Sequence, residues 1–291
     1  MCKKTLTLQA ITNGFNTSKF ALYQELTNLR ELQILDLSWN YFSGDIQGIC
    51  LLKNLRELHL GSNQLSGEFP SCIQNMSSLQ TLDLSRNQFS GKVPKFLSTL
   101  RYLEYLDLSD NFFKTSCVTT LWKQLRRGLH LPQSTNLSLA FLDISSNNFN
   151  DKLPENLGKV YPNIEHLNFS GNNFEEDIPS SIIRMQWIIS MDLSNNNFFG
   201  KLPRRMLSNY MSLEKLDLSN NNLEGDIIPE NMNLALLGWL KASNNSFGGI
   251  QSTFGDTSGG AVFGDYGDIN KKIESIDYST IPNEVEFMAK N

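Results

Sequence analysis

The chain has 291 residues, of which 40% are hydrophobic and 19% are charged, a composition typical of a folded protein. Its formal net charge of −5 argues against nucleic acid or an anionic membrane as the main partner, because either would need a basic surface. No run of about 18 apolar residues occurs in it, so the sequence predicts no membrane-spanning helix.

The first predicted element, residues 1–31, is a degenerate N-terminal repeat or cap. Leu8, Ala10, Asn13 and Phe15 keep part of a spacing that becomes regular further along the chain. The segment has basic residues near its start but no apolar stretch after them, so it is not expected to be a secretory signal peptide.

Residues 32–250 repeat one pattern, which is clearest in LQTLDLSRNQFSGKVP at 79–94. The pattern L-x-x-L-x-L-x-x-N-x-F-x-G-x-V-P returns about every 24 residues, and such a period is the signature of a leucine-rich-repeat solenoid. Its asparagine marks about nine predicted repeats, at Asn40, Asn63, Asn87, Asn111, Asn147, Asn172, Asn196, Asn221 and Asn245.

Each position of the pattern has a physical role in the predicted fold. Alternate leucines of a short strand point into the stack, where the leucines of the next repeat cover them, and the residues between them point outward. The asparagine lies where the chain leaves the strand, and its amide can satisfy backbone groups that lack ladder partners. The predicted fold is an α/β solenoid, a right-handed superhelix with a parallel β-sheet on its concave face.

Two segments depart from the pattern. The longer interval between Asn111 and Asn147 predicts an irregular insertion at 114–138. Within it, TTLWKQLRRGLHLP has apolar residues at helical spacing beside basic ones, which fits either a partner site or an irregular excursion on the convex side. Residues 251–291 form a Gly-rich tail outside the repeats.

The four cysteines are too few for a disulfide framework. Cys50 and Cys72 lie in successive repeats, both beyond the strand, and could form a disulfide in an oxidising compartment or remain two buried thiols. Cys2 and Cys117 have no evident partner.

No catalytic motif, phosphate-binding loop or Cys/His metal spacing occurs in the sequence. The histidines His59, His130 and His166 are widely separated, and His59 and His166 are expected four repeats apart. We therefore predict that the chain is not an enzyme and has no cofactor and no metal site.

The outward strand positions are where recognition is expected, because the inner face of a solenoid is an extended binding surface. One such position holds Asp83, Asp107 and Asp143, which would form an acidic ladder on neighbouring strands if the insertion loops out. The alternative is that these aspartates only form local hydrogen bonds with the serines that follow them in the LDLS pattern.

Two residues earlier in each repeat, the outward residue varies. Tyr105, Phe141 and His166 would stand side by side there, and exposed aromatic side chains clustered on a curved face suggest a contact patch. We hypothesise that this patch binds a peptide or an oligosaccharide. The candidate ligand-binding residues are Tyr105, Phe141, His166, Arg86, Asp83, Asp107, Asp110 and Asp143.

Five Asn-x-Ser/Thr sequons are candidate glycosylation sites, a number expected by chance in so asparagine-rich a chain. A glycan on Asn168 would lie on the inner face of the solenoid. The sequon asparagines are Asn16, Asn75, Asn136, Asn168 and Asn244.

The N-x-F-x-G-x-V-P ending of the repeats is similar to the plant-specific type of leucine-rich repeat. GICLLKNLRELHLGSNQLSGEFPSC at 48–72 and FLDISSNNFNDKLPENLGKVYPNIEHLNFSGNNFEEDIPSSI at 141–182 resemble, more narrowly, plant receptor-like proteins. The tail SIDYSTIPNEVEFMAKN resembles the end of the non-repeat island of such receptors. The signal peptide, paired-cysteine caps, last repeats and membrane span of that family are not found, so the chain resembles a truncated member.

The resemblance implies a non-catalytic module for ligand recognition in defence or development, at the extracellular face of the cell membrane. Its expected partners are a peptide, oligosaccharide or protein ligand and a receptor kinase. Two alternatives are a soluble leucine-rich-repeat inhibitor of cell-wall hydrolases and a truncated remnant without independent function.

Overall fold

The structure, a computed structural model, describes residues 7–9, 29–93, 100–114, 138–227 and 237–248. Some of the sequence-based expectations fall outside these ranges. They concern Cys2, Cys117, the sequons at Asn16 and Asn136, most of the predicted N-terminal cap 1–31, the tail 251–291 and nearly all of the insertion 114–138.

Short strands from successive repeats form one parallel sheet of ten strands. The pairing is in register, so Leu82 lies opposite Leu58 on one side and Leu106 on the other. The predicted leucine-rich-repeat solenoid is therefore confirmed. In order across the sheet, the strands are Thr7–Gln9, Ile34–Asp36, Glu57–His59, Thr81–Asp83, Tyr105–Asp107, Phe141–Asp143, His166–Asn168, Ser190–Asp192, Lys215–Asp217 and Trp239–Lys241.

The central residue of these strands is the one that enters the core. Leu58 and Leu82 are fully buried, and the residues on either side of each of them remain partly exposed. This alternation follows from the two-residue period of a strand. Burial in a stack depends on the neighbouring repeat, so each leucine row is continuous from one repeat to the next.

The frame asparagines tie each repeat to the one before it. The side-chain amide of Asn87 donates to the carbonyl oxygens of Leu60 (2.9 Å), Leu84 (3.2 Å) and Ser85 (2.9 Å), and its Oδ1 accepts from the backbone N–H of Leu65 at 2.9 Å. Four backbone groups that the turn leaves without ladder partners are thereby satisfied.

A column of phenylalanines runs beside the leucines. The rings of Phe149, Phe174 and Phe198 are stacked, with centroids 5.9 and 6.0 Å apart. Phe89 and Phe113 stack in the same way at 6.3 Å. All five are buried, so the phenylalanine position of the repeat is a core position.

Beyond the frame asparagine, the chain adds two smaller parallel sheets and a row of helical turns. One smaller sheet contains Ser43–Gly44, Gln64–Glu68, Gln88–Lys92 and Phe112–Lys114, and the other contains Glu175–Glu176, Asn197–Lys201, Asn222–Gly225 and Ser246–Phe247. The 3-10 turns are Gln47–Leu51, Ser71–Asn75 and Ser180–Arg184, and the α-helical turns are Leu157–Val160 and Met206–Asn209.

The long interval in the repeat pattern does not interrupt the main sheet. The strand Phe141–Asp143 pairs directly with Tyr105–Asp107. Asn147 closes the junction, because its amide donates to the Leu108 carbonyl at 2.9 Å and its Oδ1 accepts from the Phe113 N–H at 3.0 Å.

Cys50 and Cys72 form a disulfide, with their Cα atoms 5.3 Å apart. The two residues lie on the successive 3-10 turns Gln47–Leu51 and Ser71–Asn75, so the bond links neighbouring repeats on the side that carries the turns. Throughout the described ranges, every helical segment is too short to cross a membrane.

Candidate ligand-binding face

The outward side chains of the ten-stranded sheet form a continuous surface, here called the strand face. Parallel register places Tyr105 opposite Phe141, and Phe141 opposite His166. In the next outward row, Asp107 lies opposite Asp83 on one side and Asp143 on the other. We call Tyr105, Phe141 and His166 the aromatic patch, and the three aspartates the acidic ladder.

The aromatic patch is ordered by ring contacts. The rings of Tyr105 and Phe141 stack with centroids 4.2 Å apart and planes 8° from parallel. His166 meets Phe141 at 6.0 Å with an interplanar angle of 44°. Stacked and tilted pairs at these distances are favourable arrangements of aromatic rings, so the patch is held in place before any ligand arrives.

The acidic ladder makes the local hydrogen bonds that the LDLS pattern suggested as an alternative. Oδ1 of Asp107 accepts from the backbone N–H of Ser109 at 2.9 Å and from its hydroxyl at 2.7 Å. Asp83 has the same two bonds to Ser85. These bonds use one carboxylate oxygen of each residue, so they fix the carboxylates in place and leave the ladder intact.

The second oxygens of the ladder differ in their partners. Oδ2 of Asp143 accepts from the Asn168 amide at 2.9 Å, and Oδ2 of Asp107 is 3.4 Å from the Tyr105 hydroxyl that donates to it. Among the described residues, the hydrogen bonds of Asp83 are made to Oδ1 and none reaches Oδ2. The acid groups are therefore linked to the aromatic patch through Tyr105.

Burial and nearby carboxylates make Asp107 and Asp143 harder to ionise than free aspartates, because both raise the pKa. Burial and, to a smaller extent, the charge of Asp143 raise the pKa of Asp107 to about 7, although the hydrogen bonds from Ser109 oppose the increase. Burial likewise raises the pKa of Asp143, and Asp110 adds to this effect. A cationic group on this surface would favour the ionised carboxylates and release a proton.

The other ionisable members of the patch are also affected by burial. It lowers the pKa of His166, so this imidazole favours its neutral form. It raises the pKa of Tyr105, and the charge of Asp107 adds to the increase, so this phenol stays protonated. The aromatic patch is therefore uncharged beside an acidic row.

Arg86 and Asp110 lie at the edge of the strand face, where the chain leaves the strands. Their side chains form an exposed ion pair, with Nε and Oδ2 3.6 Å apart. The Arg86 guanidinium also lies 5.8 Å from the ring centroid of Trp39, which is 74% exposed. The repeat pattern did not indicate Trp39, because the contact between Trp39 and Arg86 skips the repeat that lies between them.

Three predicted glycosylation sites lie among the described residues. Asn75 is exposed at the end of a 3-10 turn. Asn168 lies within the strand face and is bonded to Asp143 and Ser170. Asn244 donates from its side-chain amide to Oδ1 of Asn220 at 2.6 Å. Occupancy of these sites stays a prediction.

Metal binding has no support in the described part of the chain, where no group of three or more His, Cys, Asp or Glu side chains could hold an ion. The ladder is bonded to serines, Tyr105 and Asn168. The strand face presents a stacked aromatic platform beside a row of carboxylates.

Two models of the leucine-rich repeat match the sequence, one at residues 53–113 and the other at 31–52, 138–160, 163–185 and 212–234. Together the matches span somewhat more than half of the chain. The chain therefore belongs to the leucine-rich-repeat family.

Within that family, the sequence is similar to plant leucine-rich-repeat receptor-like proteins. It is 50% identical over 58 residues to receptor-like protein 9b of Arabidopsis thaliana, an alignment covering 20% of this chain and 6% of the relative. It is 42% identical over 71 residues to receptor-like protein 9a of the same plant, covering 24% and 8%. The chain thus matches only a small part of the length of these relatives.

Solved structures of plant repeat proteins share the fold. The TDR receptor superposes with a TM-score of 0.66 at 29% identity, covering 76% of this chain and 36% of that chain. The ectodomain of the Arabidopsis receptor kinase HAESA, in complex with an IDA peptide hormone, gives 0.65 at 33%, covering 74% and 34%. A plant ice-binding protein gives 0.64 at 25%, covering 84% and 73%. The fold is thus shared by proteins with different ligands, and function must be argued from the site.

Proposed function

We propose that the chain is a non-catalytic recognition module that binds a peptide on its strand face, at the aromatic patch and the acidic ladder. The observation that carries the proposal is the stacked pair of Tyr105 and Phe141, aligned in register with Asp107 and Asp143. The HAESA ectodomain, which shares the fold, was solved with a peptide hormone.

The chemistry of the two rows defines the expected peptide. Stacked rings offer a flat apolar surface on which an aromatic side chain or a proline can pack. The carboxylates of Asp107 and Asp143, in the next outward row of the same two strands, favour a lysine or arginine on the same peptide segment, since charge-assisted hydrogen bonds are among the stronger polar contacts. The expected ligand therefore carries a basic residue close to an aromatic residue or proline.

The expected setting is the extracellular face of the cell membrane, as for the receptor-like relatives, with signalling in defence or development through a partner receptor kinase. HAESA has also been solved with its peptide hormone and the co-receptor SERK1. A similar arrangement for this chain would place its peptide on the strand face and leave other surfaces for the kinase.

The test is a selection from a random peptide library on the immobilised full chain. Peptides retained by the native chain are counter-selected against the double variant Tyr105→Ala, Phe141→Ala. We expect the enriched sequences to combine a basic with an aromatic or proline residue, and to lose at least about tenfold in affinity for the double variant, equivalent to about 1.4 kcal/mol.

The matched control is Ser190→Ala with Lys215→Ala, which changes outward residues of two other strands on the same face. Circular dichroism must show that both double variants are folded. Equal binding to native and Tyr105/Phe141-substituted chains would overturn the proposal. If the native chain bound a neutral oligosaccharide and the Tyr105/Phe141 substitution abolished that binding, the ligand of this site would be a sugar and not a peptide.

A further inference from the structure

A second recessed site lies among the helical turns, away from the strand face. It is a cavity of about 630 Å³ between three successive turns, Leu157–Val160, Ser180–Arg184 and Met206–Asn209. The residues that line it include Lys159, Arg184, Gln186, Asn209, Pro162 and Ile183.

Close packing of the turns builds the floor of this cavity. The backbone N–H of Gly158 donates to the Ser181 hydroxyl at 3.1 Å. The Tyr210 hydroxyl, on the next repeat, donates to the Ile182 carbonyl at 3.1 Å. A side chain at Gly158 would collide with the Ser181 backbone. The three turns are therefore held together by direct contacts.

The lining is cationic although the chain as a whole is acidic, with a net charge of −5. Lys159 and Arg184 are both exposed, and neither forms an ion pair with another described residue. Among the residues that the structure describes, no carboxylate lines the cavity. Two cations that face one recess without internal partners favour an anionic ligand there.

The other lining groups narrow the class of ligand. Gln186 and Asn209 carry amides that can donate to and accept from hydroxyl groups, while Pro162 and Ile183 provide an apolar wall. A cavity in the range of about 300–1,000 Å³ is of the size that encloses an organic ligand and exceeds that of a single inorganic ion.

We propose that this cavity binds an acidic oligosaccharide, with Lys159 and Arg184 on the carboxylates of uronic acid units and the two amides on neighbouring hydroxyls. The planar guanidinium of Arg184 suits a carboxylate, because it can donate two parallel hydrogen bonds. This site is separate from the peptide site, so it would let one chain contact both a peptide and an acidic glycan.

Oligogalacturonides serve as the probe, and the same oligomers as methyl esters serve as the neutral comparison. Binding to the full chain is measured by isothermal titration calorimetry at low and at physiological salt. We expect the acidic oligomer to bind and its ester not to bind. The double variant Lys159→Gln, Arg184→Gln should lose at least about tenfold in affinity.

The matched control removes two exposed cations elsewhere, with Lys53→Gln and Arg101→Gln, and should bind as the native chain does. An equal loss in both double variants would show that only overall charge matters, and would overturn the proposal. Absence of binding at millimolar oligomer would do the same. Inorganic sulfate that binds as tightly as the oligomer would also contradict it, since the amides and the apolar wall would then contribute nothing.

Discussion

Tyr105 and Phe141 stack at 4.2 Å although the longest interval in the repeat pattern lies between them. The pairing of their strands brings them together, and Asn147 bridges the same junction. The centre of the candidate site therefore lies where the two strands flanking the long sequence interval pair, and its geometry depends on that junction.

We predict that the acidic ladder makes stability depend on pH. The pKa of Asp107 is raised to about 7 by burial and by Asp143, so the folded chain holds a proton that the unfolded chain releases near pH 4. Folding stability should therefore fall as pH rises from about 4 to 7, and then level off. Asp107→Asn should raise Tm at pH 8 much more than at pH 4, as measured by thermal denaturation.

Asp36→Asn is the control for that experiment. Asp36 occupies the same frame position and accepts the same hydrogen bonds from Ser38, at 3.0 and 2.5 Å, but its neighbour on the next strand is His59. Neither strand neighbour of Asp36 is an aspartate, since Gln9 lies on its other side, so its substitution shows the effect of losing a frame aspartate outside the acidic ladder. If Asp107→Asn changed Tm equally at pH 4 and at pH 8, the raised pKa of Asp107 would be wrong.

Gly158→Ala should be strongly destabilising. A Cβ there would lie within van der Waals overlap of the Ser181 carbonyl oxygen, which is backbone and can move only if the turn moves. Overpacking of this kind costs about 1–3 kcal/mol or more. Urea unfolding measures the loss, and Gly238→Ala, whose added Cβ would lie 3.8 Å from its nearest neighbour, should be close to neutral. Equal effects would contradict the close approach of the turns.

The frame asparagines should be most costly to remove at the junction. Asn147 is buried and its amide bonds the carbonyls of Leu108, Ile144 and Ser145. Asn147→Ala leaves these groups and the Phe113 N–H without that partner, and a buried unsatisfied group costs about 1–3 kcal/mol. We expect a loss at the upper end of this range, with the main sheet opening at the junction.

Asn245→Ala is the comparison, because Asn245 makes the same type of contacts, to Leu218, Ala242 and Ser243, in a half-buried position. Water can replace part of these bonds, so the loss should be smaller. Hydrogen exchange distinguishes the two, since Asn147→Ala should accelerate exchange of the Leu108 and Phe113 region. Unchanged protection there would argue against the bridging role.

The sequence predicted the strand face well, because the repeat period fixes which residues become neighbours. Tyr105, Phe141 and His166 fall at one position of the pattern, so their alignment needed only parallel pairing in register. The elevated pKa of Asp107 was not predicted, since the pattern shows that aspartates align but not how deeply each is buried.

Features that reach across the pattern were harder to predict. The contact of Arg86 with Trp39 skips a repeat, and the period describes only adjacent ones. The cavity beside Lys159 depends on how closely three turns approach one another, which a single glycine at 158 permits. Neither the spacing nor the composition of those turns signals a recess.

The disulfide should contribute measurably to stability. Cys50 and Cys72 close a loop of 22 residues between neighbouring repeats, and a loop of this size corresponds to about 3 kcal/mol in the chain-entropy description. The double variant Cys50→Ser, Cys72→Ser should unfold at lower urea concentration by about this free energy. Reduction of the native chain should reproduce the shift but leave the variant unchanged. A native chain insensitive to reductant would contradict the bond.

Glycan occupancy should differ between Asn75 and Asn168 if the strand face binds a ligand. A glycan on Asn168 would attach to the nitrogen that donates to Asp143, one strand from Phe141, and its bulk would cover the aromatic patch. Asn75 is exposed on a turn, away from that face. Mass spectrometry of the chain, secreted from plant cells by means of an added signal peptide, should find Asn75 occupied and Asn168 bare. Full occupancy of Asn168 in protein that still binds its selected peptide would place the peptide site elsewhere.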